Sequence, residues 1–168
     1  EQATALRKDL SIEIYPLIVF SEFGKQSLVY WKKALEFTKQ KKIDFQIIAA
    51  GFPYLSEQKD LLPDLESYSF VATGRVQGLI KKETHLWPQD IRDREKIILI
   101  GSYYQDGKID GKFQIDNQLM YKEKIDYYFP SRGNNKYLRG SSYSVVEAAV
   151  KGISLCEKSR LKECLKQH

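Results

Sequence analysis

The residues of this chain best suited to chemistry stand just ahead of its last apolar run. Gly133, Gly140, Ser141 and Ser142 precede a helix-spaced segment, with Arg132, Lys136 and Arg139 beside them. A helix start leaves backbone N–H groups without partners and carries the positive end of the dipole, so it receives anions readily. One function this allows is a small α/β enzyme, or a binder of phosphate or nucleotide ligands, working at residues 140–144. Glu147, read as part of the first turn, opposes an anion there.

Other candidates supply less. Gly24, Lys25, Gln26 and Ser27 follow an apolar run, but a phosphate-binding loop needs Gly-x-x-x-x-Gly-Lys and then Ser or Thr. Val19 occupies the first glycine position, and Gln26 follows the lysine. His85 lies near Trp87, Asp90 and Asp93, and the second histidine is the terminal His168. A catalytic zinc wants three protein ligands on ordered elements, so no metal and no cofactor is expected. With one internal histidine and no Gly-x-Ser-x-Gly elbow, Ser–His–acid catalysis lacks its parts. Asp60, Asp64, Asp110 and Asp116 have no apolar surroundings that would separate an acid from a base. This reading assigns no catalytic residue.

Cys156 and Cys164 are eight residues apart, which on a continuous helix is a rise of ~12 Å, beyond the ~7 Å that a disulfide tolerates. Either the helix breaks near Ser159 and a bridge forms, or both thiols are free.

The elements that would hold these groups follow from periodicity. Ile12 to Phe20 reads as a buried strand, with Pro16 marking an edge or a bulge. Ser27 caps a helix to Lys41 with a Leu28, Trp31, Leu35 stripe, and Ile43 to Ala50 is a strand closed by Gly51-Phe52-Pro53. These form a βαβ-like unit. Leu55 to Ser67 is a polar connection, Tyr68 to Ile80 a weak strand, and Thr84 to Arg94 a loop around Trp87-Pro88. From Lys96 to Phe129 apolar and polar residues alternate, which predicts an antiparallel meander turning at Asp106-Gly107. Its inner face would carry Phe113, Ile115, Ile125, Tyr127 and Phe129, with Lys112, Lys122, Lys124 and Tyr128 outside. A final helix is expected from Ser144, capped by the Ser144–Glu147 box, with Val146, Ala149, Val150 and Ile153 in the core. The expected fold is α+β: a βαβ-like N-terminal unit, an antiparallel meander, and a C-terminal helix packed on the sheet. Residues 1–11 form a polar lead-in, and 12–168 a single domain.

At 168 residues the chain can bury a sufficient core without a metal. Its net charge of +5 suits nucleic acid, anionic membrane or cell-wall polymers, but lysines alternate with acids, as in Lys122-Glu123-Lys124. Tyr103, Tyr104, Lys122, Lys124 and Tyr128 could stack single-stranded RNA or DNA, though Asp110, Glu123 and Asp126 dilute the field that phosphates need. Nucleic acid is therefore a third reading. No apolar run is long enough to span a bilayer. The chain begins at Glu1, which suits a mature form that has lost a targeting segment. The expectation is a periplasmic or secreted protein, with a cytoplasmic one as the alternative.

Three segments together resemble the CsiV family of periplasmic peptidoglycan-binding proteins: Ile12 to Phe20 followed by Trp31, His85-Leu86-Trp87-Pro88-Gln89, and the Gly107 to Gly111 turn leading to Phe129. That family's His-Tyr…Asp-His-Pro close is absent here. The resemblance implies an envelope protein that binds cell wall or a synthase activator. The function expected on these grounds is a non-catalytic, exported binding or assembly module for a protein or cell-wall partner. Its contact surface would comprise Trp87, Tyr103, Lys122, Lys124 and Tyr128, rimmed by Arg132, Lys136 and Arg139, with Ser141 and Ser142 at the helix start.

Overall fold

The computed structural model describes residues 11–20, 27–54, 65–76, 84–91, 94–109, 112–131 and 140–166, with the backbone alone for 105–109 and 112–114. Its centre is a sheet whose middle strands are buried around Phe70 to Ala72 and Ile97 to Ile100. β1 (Phe45–Ile48) runs parallel to β3 (Tyr68–Ala72), and β3 runs parallel to β5 (Ile97–Ile109). β7 (Tyr127–Pro130) lies parallel on the far side of β5, where Ile100 is opposite both Ala72 and Tyr127. β6 (Lys112–Ile115) pairs antiparallel with the second half of β5, beyond the end of β3. A separate antiparallel pair joins β2 (Phe52–Tyr54) to β4 (His85–Trp87).

Strand residues alternate between faces, and each face has its own core. Phe70, Ala72, Ile98 and Ile100 point to one side, where Val145, Ala148 and Ala149 of α2 (Ser141–Leu155) and Leu161 and Leu165 of α3 (Leu161–Leu165) cover them. Val71, Ile97 and Leu99 point to the other, against Trp31 and Leu35 of α1 (Leu28–Gln40) and against Trp87. This is why Phe70 to Ala72 and Ile97 to Ile100 are buried without alternation, where the sequence suggested only a weak strand and the start of an alternating meander: a central parallel strand is covered on both faces.

The class is α+β, and the C-terminal helix packs on the sheet as expected. Several details differ. Ile12 to Phe20 forms no strand; Phe20 makes an isolated bridge and Ser11 to Val19 are irregular, so the first β of the βαβ unit is missing. Asp106-Gly107 lies inside β5, where the register slips between Tyr104 and Lys108, so the local turn signal is absorbed as an irregularity in a long strand. The meander ends at β6. Leu119 to Lys124 contain an isolated bridge from Leu119 to Arg75, a left-handed Tyr121 and a short 3-10 turn, because the chain must cross to the other edge of β5 before β7. Ile115, expected inside, is exposed, and Asp116, expected in water, is buried with its Oδ2 2.8 Å from Arg75 Nε.

The last helix starts three residues earlier than its capping box suggests. Gly140 is the cap, at φ 133°, a conformation that a side chain would strain. Ser144 lies inside the helix and donates its Oγ–H to the carbonyls of Phe129 and Pro130 at 3.1 and 2.8 Å. The buried stripe is accordingly Val145, Ala148, Ala149 and Gly152, while Val146 and Val150 are exposed. α2 ends at Leu155 and the chain turns at Cys156, which brings the sulfurs of Cys156 and Cys164 to 2.07 Å, with Cα atoms 5.7 Å apart.

Candidate active site at the carboxyl edge of the sheet

The parallel strands β1, β3 and β7 end on one edge, past which β5 runs on to pair with β6, and open sheets of this kind place their ligands in the crevice beyond such carboxyl ends. The N-terminus of α2 arrives at this edge. Gly140 N–H donates to Ser131 O at 2.9 Å, which ties the helix start to the end of β7. Ser142 then projects from the first turn, exposed, and donates its Oγ–H to the carbonyl of Ala49, just past β1, at 2.9 Å. Its neighbour Ser141 is buried. The first turn contains no acid, since Glu147 lies beyond it once the helix begins at Ser141.

The floor of the same edge is built by Gln89, which the sequence reading placed in a motif of the resemblance but gave no contact of its own. Gln89 is 1 % exposed, and its Nε2 donates to Ala72 O at 2.7 Å and to Ala50 O at 3.4 Å, joining the ends of β3 and β1. Gly51 packs so closely on this amide that a Cβ there would stand 2.8 Å from it. Thr73, one residue past β3, donates its hydroxyl to Met120 O. A Gln following Trp-Pro in an apparent loop carries no signal of such a bridge, which depends on three distant segments meeting.

A second polar cluster surrounds Asp90. Its carboxylate takes Lys124 Nζ at 2.7 Å, His85 Nδ1 at 2.7 Å and the Tyr54 hydroxyl at 3.3 Å. Burial pushes this carboxyl up, but the bonds and charges of Lys124 and His85 outweigh it and hold it below its usual range. Burial, reinforced by the Asp90 charge, pushes the Tyr54 phenol up to about 12. Tyr121 also reaches about 12 through burial, although the Leu86 N–H that it accepts pulls the other way. Lys124 is thus a bound counter-ion of Asp90.

Among the described residues the expected contact surface is brought together only in part. Trp87 is 3 % exposed, its ring edge-on to Trp31 with centroids 5.1 Å apart, so it is a core residue. Lys122 is exposed on the 3-10 turn. Tyr103 and Tyr128 are half-buried and do meet, lining one cavity of about 290 Å³ with Lys151 and Lys166. Arg132, Lys136 and Arg139 lie outside the described residues. Among the described residues no group of three or more His, Cys, Asp or Glu could hold a metal, and no helix is long and apolar enough to cross a membrane.

No protein-family model matches the chain, and no curated protein matches it. Among solved structures the chain is similar to that of the prenylagaramide maturation protease PagA, with a TM-score of 0.54 and 16 % identity. The match covers 86 % of this chain and 58 % of that one, so the chain spans less than two thirds of the protease's length. At this identity the likeness shows the fold. It corrects the expectation of a non-catalytic binding module, because the fold is one on which an enzyme is built.

Proposed function

We propose that the chain is an enzyme of the acyl-transfer class that cleaves peptide bonds, with Ser142 as nucleophile. The observation that carries this is the position of Ser142: exposed, in the first turn of a fifteen-residue helix, at the carboxyl edge of a parallel sheet. The likeness to a maturation protease supports it. A hydroxyl attacking a carbonyl needs a base for its proton and donors for the oxyanion. Tyr143 N–H in the first turn already donates to Gly140 O at 3.0 Å, while the amides of Ser141 and Ser142 precede any intrahelical acceptor, and the N-terminal dipole end favours the negative charge that develops. In the step, Ser142 Oγ bonds the scissile carbonyl carbon, the C–N bond breaks, and the Ser142 proton, leaving the Ala49 carbonyl, is carried to the departing amine nitrogen. Among the described residues no imidazole or carboxylate hydrogen-bonds Ser142, and His85 is committed to Asp90 beside Tyr54. The paired sulfurs of Cys156 and Cys164 support an enzyme working in an oxidising compartment.

A fluorophosphonate reporter tests this directly, since it marks activated serines. Labelling of the native chain should map to Ser142, vanish in Ser142→Ala and persist in Ser141→Ala. No labelling above a heat-denatured control, or undiminished labelling of Ser142→Ala, removes the proposal.

A further inference from the structure

The cavity of about 290 Å³ shared by Tyr103 and Tyr128 is separate from the Ser142 site, since neither Ser142, Ala49 nor Gln89 lines it. Every residue of β7 does, together with Lys151 of α2 and Lys166, which follows α3. Successive side chains of a strand face opposite ways, so a cavity touching all four residues of β7 runs along its side rather than over one face.

That side carries main-chain donors. Among the described residues β7 pairs with β5 alone. Towards β5, Asp126 N–H donates to Leu99 O at 2.9 Å. Ser131 N–H donates to Tyr103 O at 2.8 Å, replacing the N–H that Pro130 lacks. A parallel ladder uses every second residue, so Tyr127 and Phe129 turn their N–H groups to the opposite side. Such a strand is a template to which an extended peptide can add.

The wall of the cavity is positive. Asp126 also lines it, but its carboxylate accepts from Arg94 Nη2 at 2.9 Å and from Leu99 N–H at 2.7 Å. Lys151 Nζ stands 5.3 Å from the centre of the Phe129 ring and 3.8 Å from Glu147, too far for a hydrogen bond. Lys151 and Lys166 therefore set the charge that an incoming chain meets, and ammonium groups select carboxylates. α2 and α3 cover the same face of the sheet, so both lysines address side chains on one face of an added strand, two residues apart.

We infer that the free side of β7 binds an extended acidic peptide, which adds to the sheet as a strand and directs carboxylates at alternate positions to Lys151 and Lys166. This goes beyond the peptidase reading and does not depend on it.

The experiment uses the Ser142→Ala chain, in which cleavage plays no part, and fluorescence anisotropy of a labelled Thr-Val-Glu-Val-Glu-Val-Thr peptide. Binding should saturate at micromolar protein, and the same peptide with lysine for both glutamates should bind at least about tenfold more weakly, the worth of a charge-assisted bond. Lys151→Gln and Lys166→Gln should each weaken the acidic peptide. Methylating the backbone nitrogens of the two glutamates, or instead those of the valines, should abolish binding in one case and spare it in the other, because an added strand turns only alternate N–H groups to its neighbour. No binding at millimolar protein, equal binding of the acidic and basic peptides, indifference to both lysine variants, or equal effects of the two methylation sets each overturn the inference.

Discussion

At the scale of single residues, burial reversed the roles that exposure-based reasoning assigns. Trp87 is where this matters most. An aromatic beside His85 and Pro88 in a polar stretch suggests a contact residue, but the ring closes the core over Trp31. Trp87→Ala should therefore cost about 3–5 kcal/mol, as removal of a large buried ring does. Denaturant unfolding reads this as a lower midpoint, whereas a surface role would leave the midpoint in place. The phenols of Tyr54 and Tyr121 give a second expectation. A group whose folded pKa is raised keeps its full contribution below its ordinary value and loses it as pH climbs to the folded one. Both phenols move from 10.0 to about 12, so melting temperature should decline between those two pH values. Tyr54→Phe should flatten part of that decline; an unchanged alkaline profile would show that Tyr54 is not shifted. None of this was readable from residue types, because the shifts arise from burial and from the partners gathered round Asp90.

Elements were legible where one periodicity dominated locally. The helix capped by Ser27, with Trp31 and Leu35 inside, formed as its spacing demands, and Ser27 accepts from Tyr30 N–H at 3.5 Å. The last helix formed too, but rotated from the expected stripe, since its start was set by Gly140 and by Ser144 reaching the end of β7. That rotation places Gly152 against the sheet, where an added Cβ would lie 2.7 Å from Phe70 Cζ. Two effects compete in Gly152→Ala. Helix propensity favours alanine by about 1 kcal/mol. Overpacking a filled core costs about 1–3 kcal/mol, and Phe70 is fully buried with no room to retreat. The second should win, and calorimetry should find the variant less stable than the native chain. Strand pairing was harder to read than helix spacing. Alternation in residues 112–129 is equally compatible with a meander and with a crossover to the far edge of β5, and only the position of β7 distinguishes them.

For the whole molecule the same contrast decides the candidate site. Ser142 was visible in the sequence as one of several small residues before a helix, and its companions at the sheet edge were not. Ala49 and Gln89 come from segments 93 and 53 positions earlier, and nothing local announces that they will meet. The apolar run around Pro16 behaves in the opposite way: its strand pattern is plain in the sequence, and the fold leaves Ile12, Ile14 and Ile18 exposed. By itself the sequence determined the class of fold, the helix capped by Ser27 and the presence of a helix after Gly140. Those depend on local spacing and on the burial of apolar side chains, which a sequence carries explicitly. Tertiary structure alone decided which strands are parallel, that Trp87 and Asp116 are buried, and that Ser142 stands at the carboxyl edge. Those depend on contacts between residues far apart in the chain, whose energy exists only once the layers have packed.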